Sequence, residues 1–167
     1  MKTLILILSL IAPFALAENM ECPRGSKENE LVLARVMRNF GRFTLNADSV
    51  ALKSQQSSED IQDKSLQEAR RDLAIAAVCA ETVLNNPTGD LLPEKAHQLQ
   101  GQERQVFVRD FLEFMARFHD ALLQYQAAFD QALKVSPHQR SFSEIQKNKR
   151  MIDDLANEAH RHLGHDD

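Results

Sequence analysis

The chain has no tryptophan, one tyrosine, two cysteines, and only five glycines and five prolines in 167 residues. With so few breakers, long stretches rich in Ala, Leu, Gln, Glu and Arg run uninterrupted, which is the composition of helices. No segment alternates apolar and polar residues as a half-buried strand does, so a sheet is excluded. A Cys-x-x-Cys-His run is missing, which removes covalent c-type haem attachment, the thioredoxin-like motif and cysteine-rich zinc sites. The formal net charge of −4 comes with no basic patch able to track a phosphate backbone, so nucleic acid is excluded as a partner.

What is present begins with Met1-Lys2-Thr3, an apolar run from Leu4 to Ala12, and the small residues Ala15 and Ala17. These are the parts of a secretory signal peptide over residues 1–17, cleaved after Ala17. The run is shorter than the roughly 20 residues that cross a bilayer. No second run of that length follows, so a membrane span is not expected after cleavage. Residues 18–167, about 150 in number, suit one domain with a real core, which opens with a short N-terminal extension over 18–27. Export implies an oxidising compartment, the periplasm in a Gram-negative cell, where Cys22 and Cys79 favour a disulfide over two free thiols.

Four amphipathic helices follow. The first starts near Ser26 to Glu30 and carries the stripe Leu33, Val36, Met37, Phe40, Phe43, Ala47, Val50, with Gly41 as its weak point. Lys53 to Ser58 reads as a turn, and Ser58 ahead of Glu59-Asp60 caps a second helix bearing Ile61, Leu66, Leu73, Ala76, Ala77, Ala80 and Leu84. Asn85 to Asp90, with Pro87 and Gly89, ends it. A short helical piece over Glu94 to Gln100 and a break at Gly101 precede the longest helix, Gln102 to Val135. Its ladder of Phe107, Phe111, Phe114, Phe118, Ala121, Tyr125 and Phe129 keeps three-four spacing throughout. The fourth opens with a capping box of Ser141 and Glu144 and continues Phe142, Ile145, Lys149, Ile152, Ala156, His160, Leu163. Four such helices with mostly short connections predict an all-α, antiparallel up-down-up-down four-helix bundle.

That topology gathers the start of the first helix, the end of the second, the start of the third and the end of the fourth at one pole. Cys22 and Cys79 share that pole, and so do Met37, His160, Phe107 and Phe111. Alone, Met37 is an adaptable filler of core space. His160 is harder to dismiss, because an imidazole in an apolar ladder needs partners for its ring nitrogens. Together a thioether and an imidazole form one of the axial ligand pairs used for haem iron. His162 ranks second for the imidazole role. His162 and His165, followed by Asp166 and Asp167, also form a weak divalent-metal candidate. His97, His119 and His138 have no catalytic companion at a recognisable spacing, and no nucleophile and base pair stands out, so an enzyme is not expected.

The segments Val36-Met37-Arg38-Asn39-Phe40 and Leu155-Ala156-Asn157-Glu158-Ala159-His160-Arg161-His162-Leu163, with the signal peptide and the Phe107/Phe111 pair, resemble the soluble cytochrome b562 family of periplasmic four-helix b-type cytochromes. The resemblance implies one non-covalently held haem b per chain, with Met37 and His160 as iron ligands and Phe107 and Phe111 beside it. It implies a monomeric electron carrier that meets an unidentified redox protein through an acidic surface. The chain departs from the family in its length, in the extension bearing Cys22, and in having Leu163 where an aromatic residue is common. The rival expectation is a haem-free helical protein of the cell envelope that binds a protein partner or a metal.

Overall fold

The structure is a computed structural model and describes residues 20–23, 32–55 and 58–162, the side chains of Ser54, His160, Arg161 and His162 excepted. The signal-peptide reading over residues 1–17, the helix start near Ser26 and the His165 tail lie outside the described residues. Among the described residues the chain is all-helical, with α1 over Val32–Ser54, α2 over Glu59–Asn85, a short α3 over Glu94–Gln98, α4 over Gly101–Lys134 and α5 over Ser143–His162, and no strand. None of these helices is long and apolar enough to cross a membrane.

Local chemistry sets the boundaries. Helix α1 continues through Lys53 and Ser54, where the sequence suggested a turn. Glu59 and Asp60 occupy the first turn of α2 and complement its dipole. Ser58 has the extended backbone of an N-cap, but its side chain makes no capping bond. At the other end of α2 the Asn86 N–H donates to the Thr82 carbonyl at 3.2 Å, and Pro87 cannot continue the ladder. Helix α4 begins on Gly101 at φ +54°, a conformation that costs other residues a steric clash. The expected Ser141–Glu144 box does not form. Helix α5 starts two residues later, with the Ser143 N–H donating to Ser141 Oγ at 3.4 Å and the Gln146 N–H to the Phe142 carbonyl at 2.9 Å.

One buried cluster draws on α1, α2, α4 and α5, and includes Phe40, Leu66, Leu73, Phe111, Met115, Leu122, Tyr125, Phe129, Ile145 and Ile152. The ladders of α1 and α4 are buried much as their spacing suggested, whereas Ile61, placed on the α2 stripe, is 55% exposed. Phe40 of α1 packs on Phe118 of α4 with ring centroids 5.3 Å apart. The Arg117 Nη1 of α4 donates to Glu158 Oε2 of α5 at 3.1 Å.

Two covalent or polar ties secure the ends. Cys22 and Cys79 are bonded, joining the N-terminal segment to α2 across 57 residues of chain, with Cys79 fully buried. Beside this bond, Asn39 Nδ2 donates to the Pro23 carbonyl at 2.6 Å. After α4, the Arg140 side chain is 2% exposed and ion-pairs with Asp63 on the first turns of α2. Its Nε donates to the Ala132 carbonyl at 2.9 Å and the Val135 carbonyl at 3.1 Å, satisfying acceptors that a helix end leaves free. Because the disulfide closes a long loop, reducing it, or replacing both cysteines by Ala, is expected to lower the unfolding free energy by about 2–4 kcal/mol. Urea unfolding with and without reductant measures this, and an unchanged midpoint would show that the bond contributes nothing to stability.

Candidate functional site

Met37 lies in the second turn of α1, half-buried and packed against the common core. One turn further along, Gly41 is exposed, and a Cβ built there would meet no atom of the described residues within 4 Å. Phe107 at the head of α4 is half-buried, with the Lys95 ammonium of α3 5.6 Å above its ring. Phe111, one turn on, is 1% exposed and belongs to the core. The backbone of His160 is in the last turn of α5; its side chain and that of His162 lie outside the described residues, as does His165 altogether.

The buried stripe of α5 differs from the expected ladder. Ile145, Asn148, Ile152 and Leu155 are buried, with Ala159 packed beside them. Lys149 and Ala156 lie on the rim of that stripe. Asn148 tolerates burial because its Nδ2 donates to the Glu144 carbonyl at 2.7 Å. By helical phase, position 160 shares the flank of Lys149, and position 162 shares that of Leu155.

At the rim of the stripe the Lys149 ammonium has two anionic partners. It lies 2.6 Å from Asp153 Oδ2, one turn ahead on α5, and 3.5 Å from Asp48 Oδ2 on α1. The other Asp48 oxygen accepts the hydroxyl proton of Tyr125, the 1% exposed tyrosine of α4. One carboxylate therefore ties together three helices. Burial raises the Asp48 carboxyl above its ordinary range, and the Tyr125 hydroxyl and the Lys149 charge pull it part of the way back. Burial likewise raises the Tyr125 phenol, and its bond to Asp48 adds to the shift, so the phenol stays protonated and donating. The Asp153 hydrogen bond raises Lys149.

Sequence reading missed two features of this region. Asp48 was invisible as a node because its partners are 77 and 101 positions away, and pairings of that range leave no local pattern. Met115, fully buried on α4, was overlooked beside the Phe ladder although its three-residue spacing to Phe118 was in view. Among the other histidines, His138 is 84% exposed with Nε2 2.6 Å from Glu59, and His119 lies 3.8 Å from Asp120. No group of three or more His, Cys, Asp or Glu gathers to hold a metal among the described residues.

Two open clefts flank these residues without containing them. One, of about 750 Å³, lies beside the disulfide between Val32, Arg35 and Val36 of α1 and Val78 and Thr82 of α2. The other, of about 310 Å³, separates Gln124, Ala128 and Gln131 of α4 from Glu144, Asn148 and Met151 of α5. No protein-family model, curated protein or solved structure matches the chain.

A carboxyl that holds its proton more tightly when folded than when unfolded stabilises the protein below its unfolded pKa. That contribution is lost as pH rises through the folded value. Asp48→Asn keeps an acceptor for Tyr125 and does not titrate. Its stability relative to the unchanged protein is therefore expected to increase as pH rises from about 3 to about 6. Urea midpoints at a series of pH values test this, and a constant difference across the window would show that Asp48 is not raised.

Proposed function

We propose that the chain is a periplasmic electron carrier, not an enzyme, that holds one haem b without covalent attachment between Met37 and His160 in an up-down-up-down bundle of α1, α2, α4 and α5. Cross-helix pairs support that topology. Phe40 with Phe118 and Asp48 with Tyr125 advance in the same direction along α1 and α4. Arg70 with Asp130, and Asp63 with Arg140, run in opposite directions along α2 and the α4 end. The disulfide supports an oxidising compartment.

The observation that carries the haem reading is the Asp48–Lys149 contact between α1 and α5. Met37 lies eleven residues before Asp48, and His160 eleven residues after Lys149. In antiparallel helices equal offsets in opposite directions reach the same level, about 16 Å along the axis. Eleven residues also make close to three turns, so each residue returns to within about 20° of the face its reference occupies. In the proposed antiparallel bundle this count brings positions 37 and 160 to one height along the facing sides of α1 and α5. By the same count from the Phe40–Phe118 pair, Met115 comes level with Met37.

The donor set suits the group. A thioether and an imidazole are axial ligands of haem iron, and the pair leaves no open coordination position for a substrate. When bound, haem supplies a one-electron couple. Met37 and His160 would hold it, and Phe107 and Phe111 would wall it on the α4 side. These features are those of the cytochrome b562 family that the sequence resembles. The acidic net charge would steer encounters with a redox protein bearing a positive patch.

The rival reading, a haem-free bundle that binds a protein partner, rests on Leu45 and Leu52, which are 70% and 58% exposed and seven residues apart on one face of α1. Haem titration into the apoprotein separates the two. Met37→Ala is expected to weaken haem binding and shift the iron toward high spin, His160→Ala to do more harm, and His162→Ala to leave the spectrum nearly unchanged. Equal affinity in the Met37 and His160 variants would remove the ligand assignment, and a large effect only at His162 would move it two residues along.

A further inference from the structure

We propose that Asp48 is a positioning residue that sets the axial register of α5 against α1, through Lys149, while Tyr125 of α4 holds its carboxylate in place. The proposal deepens the haem reading and rests on it for its consequence: a register held here fixes whether Met37 and the histidines at the end of α5 arrive at one level.

Three observations carry it. First, apolar packing does little to set the offset of these two helices. Among the described residues α1 packs chiefly on α2, and α5 chiefly on α4, and α1 and α5 approach each other closely at few points. Second, the polar contact does not repeat. Asp48 is the acidic residue of α1, so a one-turn slip of α5 would carry Lys149 away from the carboxylate with no second acid on α1 to receive it. Third, the carboxylate cannot follow the lysine. Its side chain is 13% exposed, and its other oxygen is engaged by the hydroxyl of a tyrosine buried to 1% exposure. Asp153 on α5 also accepts from the ammonium, at 2.6 Å.

The lock has to lie away from the ligands to act this way. A contact at the pole would compete with the group it is meant to admit. The node is three turns from Met37 along α1, so it holds the helices in line at a distance from the proposed ligands.

The first test needs no haem. Nitroxide labels at Leu52→Cys and Asp154→Cys, both exposed positions, report the offset of α5 along α1 in the oxidised apoprotein. The expected result is one narrow distance distribution in the parent, a shift of several ångströms or clear broadening with Lys149→Met or Asp48→Asn, and restoration with Lys149→Arg. Lys149 is on the rim, so Lys149→Met is expected to fold; its melting curve is the control. An unchanged distribution in both Lys149→Met and Asp48→Asn would overturn the lock, whether or not the parent binds haem. In the haem-loaded protein, Lys149→Met is expected to weaken haem affinity about tenfold, as the fraction in the ligating register falls. It should also raise the high-spin share of the spectrum, with Lys149→Arg recovering both. Parent-like haem affinity in a variant whose register has shifted would contradict the positioning role, whereas a parent that ignores haem would overturn the ligand assignment alone.

Discussion

A carboxylate withdrawn from water must have its charge met close by, and Asp48 has it met from two other helices at once. The Tyr125 hydroxyl from α4 and the Lys149 ammonium from α5 converge on the same α1 side chain. Such contacts gain strength where water is partly excluded, and they tolerate little displacement. The hydrophobic ladders supply most of the driving force for assembly. Among the polar contacts between helices, the one at Asp48 brings three of them together at one side chain, and the proposed register of α5 against α1 rests on it.

The ends are managed differently. At one, the Cys22–Cys79 bond and the Asn39–Pro23 hydrogen bond hold the N-terminal segment against α1 and α2. At the other, Arg140 satisfies the last carbonyls of α4 and reaches the first turns of α2 through Asp63. His138 meets Glu59 nearby. These ties constrain where the chain reverses, and none of them joins α5 to α1. Helix α5 reaches α4 through the Arg117–Glu158 pair and the buried stripe, and α1 through Lys149. Among the described residues α1 and α5 approach each other closely at few points, and the proposed ligand pair lies along that seam.

The helices, their breaks and the buried faces of α1 and α4 were legible in the sequence because three-four periodicity, proline and glycine are local signals. The disulfide was legible because two cysteines and a topology leave few choices. What local pattern could not reveal depended on partners far along the chain. Lys149 looked like a flaw in an apolar ladder, and only its contact with Asp48 shows why a charge stands there. The buried stripe of α5 passes through Asn148 and Leu155 instead of Lys149 and Ala156. Ser141 and Glu144 had the spacing of a capping box, but α5 begins two residues later and uses Ser141 Oγ for the Ser143 N–H instead. Met37 was singled out by its stripe, whereas Met115 was hidden by the more conspicuous phenylalanines around it.

The central claim is that a thioether on α1 and an imidazole on α5 meet across one seam to hold haem. The most direct measurement is the visible absorption spectrum of the purified protein, exported to a periplasm with haem available, before and after dithionite reduction. Sharp reduced-state bands of a six-coordinate, low-spin b-type haem are the predicted result. A protein that remains colourless, and whose spectrum with added haem is that of free haem, would contradict it.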